Sequence, residues 1–149
     1  MRVLVTDFCD SKCVYCRPTG EGNLECSGCR YMNLETAKKA AEIYKENGGT
    51  EIKISGGDPV YWPHLVEYVD YLKNILKFDK VEVITRSTKI TSIIDALIES
   101  GLDVLNFSLD TVCAERYKAI TGKKDFVDFV EIVRKCAKRI YCKINMVVM

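Results

Sequence analysis

The sequence predicts an α/β fold, a partial (β/α) TIM-like barrel of five parallel strands with helices outside. Three observations predict it. Short β-rich runs alternate with longer helical patterns, and a β-α-β-α order implies a parallel sheet with right-handed crossovers. The strands are half polar: Asn106, Ser108 and Asp110 alternate with Leu105, Phe107 and Leu109, Lys53 and Ser55 with Ile52 and Ile54, and Lys143 and Asn145 with Cys142, Ile144 and Met146. Successive strand side chains point to opposite faces. A sheet covered by helices on both sides favours apolar residues throughout, so curling it, with helices outside and polar rows around a solvated interior, fits the pattern better. Finally, 149 residues at 48% hydrophobic content fill one core, which makes residues 1–149 a single domain and excludes intrinsic disorder.

Each element has its own signal. Val3–Thr6 reads as the first strand, followed by a loop rich in Cys and Gly. Leu34–Asn47 is helical, with Leu34, Ala37, Ala41 and Tyr44 on one face, Asn33 as cap and Gly48-Gly49 as stop. Glu51–Ser55 is the second strand, and Pro63 suits the first turn of a helix reaching Lys77 through Leu65, Val69, Leu72 and Leu76. Val81–Thr85 is the third strand, Thr91–Ser100 a helix stopped by Gly101, and Asp103–Leu109 the fourth strand. Helical pieces around Ala114–Ile120 and Phe126–Arg139 precede a fifth strand at Tyr141–Val148.

Lys plus Arg number 22 against 21 for Asp plus Glu, a net +1 that lacks the basic excess of a nucleic-acid polymer binder. No apolar run approaches the roughly 20 residues that span a bilayer, and Met1–Val5 is too short for a signal-peptide core. A cytoplasmic protein without membrane partners is the expectation. Eight cysteines in a chain with ample apolar content then point to metal or redox chemistry rather than to disulfide staples.

Cys9, Cys13 and Cys16 stand at C-x3-C-x2-C spacing just after the first strand. Three thiolates on a short loop can converge on one face of an iron–sulfur cluster, leaving one iron open where four thiolates are usual. Zinc, a disulfide plus a free thiol, and coincidence are the alternatives; zinc favours two close pairs or a Cys/His set. The position at the C-terminal end of a strand, where barrel enzymes build their sites, adds weight to the cluster.

Thr6-Asp7-Phe8-Cys9 through Tyr15-Cys16 resembles the signature of radical S-adenosylmethionine (SAM) enzymes, and Gly56-Gly57-Asp58-Pro59 resembles their glycine-rich turn. Asn106-Phe107-Ser108-Leu109-Asp110 and Lys143-Ile144-Asn145-Met146-Val147-Val148 follow in the order of the MoaA-like branch, named for the GTP 3',8-cyclase of molybdenum-cofactor synthesis. The resemblance covers essentially the whole chain. It implies a 4Fe-4S cluster on Cys9, Cys13 and Cys16, with SAM on the fourth iron. Reduction by a protein such as flavodoxin or ferredoxin would split SAM into methionine and a deoxyadenosyl radical that abstracts hydrogen from substrate. By matching position, Tyr15, Gly56, Gly57, Asp58 and Ser108 are cofactor-binding, and Arg2, Lys53, Thr85 and Lys143 contact a nucleotide or other small anionic substrate. Lys53, Thr85 and Lys143 are expected on strands beside the lumen.

Plainer roles compete at several positions. Asp110 is expected to cap the helix after the fourth strand, His64 to be structural or surface, Tyr68, Tyr71 and Tyr117 to pack, and Cys113, Cys136 and Cys142 to be core. Cys26 and Cys29 form a separate C-x2-C: half of a metal site, a disulfide, or two thiols. The chain departs from the branch where Asp58 replaces Glu, Phe8 and Lys53 replace Arg, and Ser87 replaces Asn, changes that weaken the case for GTP. It also stops near the fifth strand, where relatives continue with a sixth strand and a C-terminal region; a truncated barrel with a fifth-strand edge open to self-association is the expectation. Two other functions fit less of the pattern: a peptide- or cofactor-maturing radical SAM enzyme, and a zinc-binding or interaction module without catalysis.

Overall fold

The structure, a computed structural model, describes residues 1–16 and 30–148. Cys26 and Cys29 lie outside the described residues. Five strands, β1 (Arg2–Leu4), β2 (Glu51–Ser55), β3 (Lys80–Thr85), β4 (Val104–Ser108) and β5 (Tyr141–Asn145), form one sheet in the order β1-β2-β3-β4-β5. Every neighbouring pair is parallel. Sequential order with a helical crossover between each pair is the start of a barrel, as the alternating pattern predicts. Among the described residues, no helix is long and apolar enough to cross a membrane.

The helices cover one face. They are α1 (Leu34–Glu46), α2 (Leu65–Asp70), α3 (Ile94–Glu99), α4 (Ala114–Thr121) and α5 (Phe126–Cys136). Ile52, Ile54, Val81, Val83, Leu105 and Phe107 pack with Ala37, Ala41, Leu65, Tyr68, Leu97 and Phe129 in one core. Burying each large apolar side chain contributes about 1.5–3 kcal/mol. Asn33 caps α1 as expected, its Oδ1 accepting from Glu35 N at 2.9 Å and Thr36 N at 3.2 Å. Tyr68 and Tyr117 are buried in the core.

Several boundaries differ. The single helix expected to follow Pro63 is divided: a 3-10 turn at Pro59–Tyr61 comes first, then α2, which passes into a π-helical turn at Tyr71–Ile75. Likewise a 3-10 turn at Thr88–Ser92 precedes α3. β5 ends at Asn145 rather than Val148, because β4 has already ended and Val147 N donates to Asp110 Oδ1 at 3.0 Å instead of to a strand. Cys113, expected in the core, is exposed at the residue before α4, while Cys136 is buried.

Candidate active site

The loop after β1 carries the three cysteines, and it is fastened on two sides. Gly57 N donates to Thr6 O at 2.6 Å and Asp58 N to Phe8 O at 2.7 Å, joining the loop to the glycine turn that leaves β2. Opposite, Lys12 N donates to Thr121 O at 2.9 Å and Val14 N to Ile120 O at 3.0 Å, at the end of α4. Asp10 adds a side-chain clasp, accepting from Tyr61 Oη at 2.8 Å and Lys123 Nζ at 2.6 Å. A loop held by both walls gives its thiols a fixed direction.

That direction is inward. Cys9, Cys13 and Cys16 line a cavity of about 270 Å³ together with Tyr15, Gly56, Gly57, Asp58, Arg86, Ser108 and Asp110. All three are free thiols. Burial pushes Cys9 up to about 11 and raises Cys13 as well, the latter opposed by Arg86, so the metal-free chain holds both as thiols near neutrality and a metal must displace their protons. A wider cleft of about 540 Å³ lies along the other side of the glycine turn, lined by Thr6, Arg30, Tyr31 and Met32, and holds none of the three cysteines.

The residues fit an iron–sulfur cluster better than a single ion. Among the described residues, no three His, Cys, Asp or Glu side chains are grouped to hold one metal ion. Zinc would need its sulfurs all about 2.3 Å from one point, whereas the thiolates of a cluster bind different irons. Arg86 supports the same conclusion: its side chain is 6% exposed and its Nη1 has no hydrogen-bond partner among the described residues. A buried N–H without an acceptor is costly, and this one, in the wall of a thiol-lined cavity, suits an anionic group.

Arg86 was not legible as a site residue, and Asp110 was misread. Asp110 does not cap α4, which has no side-chain cap. Its Oδ2 accepts from Arg86 Nη2 at 2.5 Å and from Tyr15 Oη at 2.8 Å, across loops that the sequence keeps far apart. Burial works against ionisation of Asp110, but the Val147 N–H, the Arg86 guanidinium and the Tyr15 hydroxyl outweigh it and hold the carboxyl below its ordinary range. Tyr15, expected to bind the cofactor, is thus fixed by Asp110 and Arg86.

The glycine turn also has a reason beyond ligand access. A Cβ on Gly57 would lie 2.0 Å from Phe8 O, and one on Gly56, at φ +149°, would lie 2.3 Å from Thr6 O. Thus the chain's own cysteine loop occupies the space a side chain would need. Asp58 is fully engaged below it: Thr85 Oγ1 donates at 2.8 Å, Arg86 N at 2.8 Å and Val60 N at 3.2 Å. Its carboxylate fastens the turn to the end of β3. Thr85 lines the cavity from the end of β3, but its register partner is Phe107 on the helix-facing side of the sheet and its hydroxyl donates to Asp58.

Burial pushes the Asp58 carboxyl up to about 6 from 3.8, with the three donors pulling the other way. The folded state therefore binds this proton more tightly than the unfolded state, and the associated stability, present below about pH 4, is lost as pH rises through 6. Asp58→Asn cannot ionise. It costs a hydrogen bond at every pH, because one backbone N–H then faces an amide N–H. Between pH 4 and pH 7, however, the variant should gain about 2–3 kcal/mol on the parent. Urea unfolding at both pH values tests this, and parallel profiles would contradict it.

Lys53 and Lys143 do face the concave side, one step deeper than the ring of Ser55, Ile84, Ser108 and Asn145 that lines the cavity. Between them lies Glu82, which sequence reasoning missed. It is 1% exposed; Oε1 accepts from Asn106 Nδ2 at 2.7 Å, and Oε2 lies 3.2 Å from Lys143 Nζ and 3.8 Å from Lys53 Nζ. Burial opposes its charge, yet Asn106, Lys143 and Lys53 prevail and keep the carboxyl below the usual range. The signal was available: a lone acid inside the β-rich run Val81–Thr85, in phase with the polar rows of the neighbouring strands.

A parallel sheet opened into a barrel, with three thiols and a glycine turn at the C-terminal strand ends, defines a class. Residues 3–149 match the family described as the Radical SAM superfamily, and the chain belongs to it. Among curated proteins it is similar to the GTP 3',8-cyclase of Syntrophomonas wolfei, 32% identical over 151 residues, covering 99% of this chain and 46% of that protein. A probable GTP 3',8-cyclase of Pyrococcus horikoshii is 31% identical over 150 residues, covering 100% and 46%. The chain thus spans just under half the length of these relatives. Among solved structures, methylornithine synthase superposes with a TM-score of 0.77 at 18% identity, over 97% of this chain and 43% of that one. Streptococcus suis SuiB bound to S-adenosylmethionine gives 0.79 at 18%, over 97% and 33%. Both share the fold.

Proposed function

We propose that this chain is the cluster- and SAM-binding part of a radical SAM enzyme acting on a nucleotide or another small anionic molecule, in the manner of its MoaA-like relatives. One observation carries the reading: three free thiols and the Gly56-Gly57 turn share a single cavity above a strand face bearing Lys53 and Lys143. Cys9, Cys13 and Cys16 would hold a 4Fe-4S cluster, and SAM would lie against Tyr15, Gly57 and Ser108. When bound and reduced by one electron from a flavodoxin or ferredoxin, the pair supplies a deoxyadenosyl radical that removes hydrogen from substrate. This chain's own residues supply the rest. The Asp10 and glycine-turn clasps fix the loop, Arg86 offers a buried N–H to negative charge, and the lysines attract the substrate anion. A walled cavity also limits quenching by water.

The test is anaerobic reconstitution with iron and sulfide, reduction, addition of SAM and measurement of deoxyadenosine. The parent chain should turn brown and form deoxyadenosine. Cys13→Ala should lose the absorbance and at least about a hundredfold of the product, as removal of a cluster ligand demands. Zinc bound at one per chain, with no iron-dependent cleavage, would instead support a metal-binding module.

A further inference from the structure

The floor of the cavity carries charges whose sum limits what can rest on it. Arg2 and Lys53 are register partners, Lys53 pairs with Glu82, and Lys143 with Asn106, so these side chains share the concave face of the sheet. Lys53 and Lys143 remain 41% and 33% exposed, while Glu82 is sealed at 1%. Arg2 has no ion-pair partner among the described residues and also lines the cavity. Three cations and one carboxylate sum to 3 − 1 = +2. Glu82 cannot swing aside, because Asn106 Nδ2 holds its Oε1 at 2.7 Å and the surrounding core holds the rest.

We propose that Glu82 is a specificity-determining residue: by offsetting one of the floor's three cations it blunts the floor's preference for polyphosphates over a small molecule carrying a single phosphate-sized anionic group. The inference rests on the cavity being the substrate site proposed above. A phosphate monoester carries about −1.5 to −2 near neutrality, which matches the floor. A triphosphate carries roughly twice that and would gain most from three uncompensated cations. A carboxylate fixed beside both lysines removes part of that gain, in surroundings where an effective dielectric constant of about 20 keeps its effect appreciable. A like charge set among attractive ones lowers the affinity of the more highly charged ligand most, which is a difference in affinity between ligands.

The experiment is calorimetric titration of the full chain with inorganic phosphate and with inorganic tripolyphosphate, near neutral pH at about 0.15 M salt to suppress long-range attraction. The parent should bind both, with affinities within about tenfold of each other, and Glu82→Gln should tighten tripolyphosphate by about tenfold or more while changing phosphate less than about threefold. Lys143→Gln should weaken both anions. The proposal is overturned if the parent binds neither anion, prefers tripolyphosphate by more than about tenfold, or keeps its affinity ratio in a folded Glu82→Gln variant. If Glu82→Gln does not fold, the parent's ratio and Lys143→Gln decide. Deoxyadenosine formation is measured separately, so loss of radical chemistry with intact anion selectivity counts against the proposed function, and the converse against this inference.

Discussion

Gly57→Ala is expected to cost about 3 kcal/mol or more, lowering the thermal midpoint by roughly 6–12 °C. The added Cβ would meet Phe8 O at 2.0 Å, Phe8 C at 2.4 Å and Asp7 O at 2.7 Å, all backbone atoms of the cysteine loop. Backbone cannot step aside as a flexible side chain can. Relief requires the loop to withdraw, which breaks the Gly57 N and Asp58 N hydrogen bonds that fasten it. Cluster retention should therefore fall together with stability. Gly48→Ala is the control: at φ +83° with nothing within 4 Å, it carries backbone strain alone, about 1–2 kcal/mol, and should leave the cysteine loop untouched. Equal effects from the two variants would show that the close approach at Gly57 is not what requires glycine.

The contrast between those glycines shows what a sequence can disclose. Gly48 and Gly101 act locally, at φ +83° and +90°, and both were legible as helix stops. So were the Asn33 cap and the order of strands and helices, because each depends on residues a few positions apart. The cysteine triplet and the glycine turn were legible as motifs for a related reason: their chemistry is written in short spacings. What escaped depends on the sheet bringing distant residues together. Asp10 meets Lys123 across 113 positions, and Arg86 meets Asp110 across 24. Neither pairing has a local signature. Asp110 was read as a cap for that reason; beside a helix start, an isolated aspartate suggests the local role until a buried guanidinium is seen against it. The π-helical turn at Tyr71–Ile75 was equally hidden, since Leu65, Val69, Leu72 and Leu76 satisfy an α-helical pattern whether or not the hydrogen bonds widen by one residue. Thr85 was matched to the substrate by position; alternation with Glu82 puts its side chain on the other parity from Lys53 and Lys143, and it reaches the cavity only because β3 ends there.

Arg86→Met should be among the most damaging substitutions away from the cysteines and glycines, at about 3–5 kcal/mol. The Arg86 and Asp110 side chains are 6% and 1% exposed, so removing the guanidinium leaves a carboxylate buried with only the Tyr15 hydroxyl and the Val147 N–H. Most of the loss would come from the stranded charge rather than from the missing bond. Two consequences separate this cause from poor packing. First, Arg86→Met with Asp110→Asn should recover much of the loss, giving a large coupling in a double-mutant cycle. Second, the pH dependence should change sign. In the parent, Asp110 has a depressed pKa, so its stabilising contribution is present above the unfolded-state value and disappears as pH falls through the folded one. Without Arg86, burial dominates and raises that pKa, so acidification relieves the variant instead of weakening it at this site. Urea unfolding of the parent, both single variants and the double variant at two pH values measures all of this. Additive losses with unchanged pH profiles would mean that the pair is held by packing and that its charges contribute little.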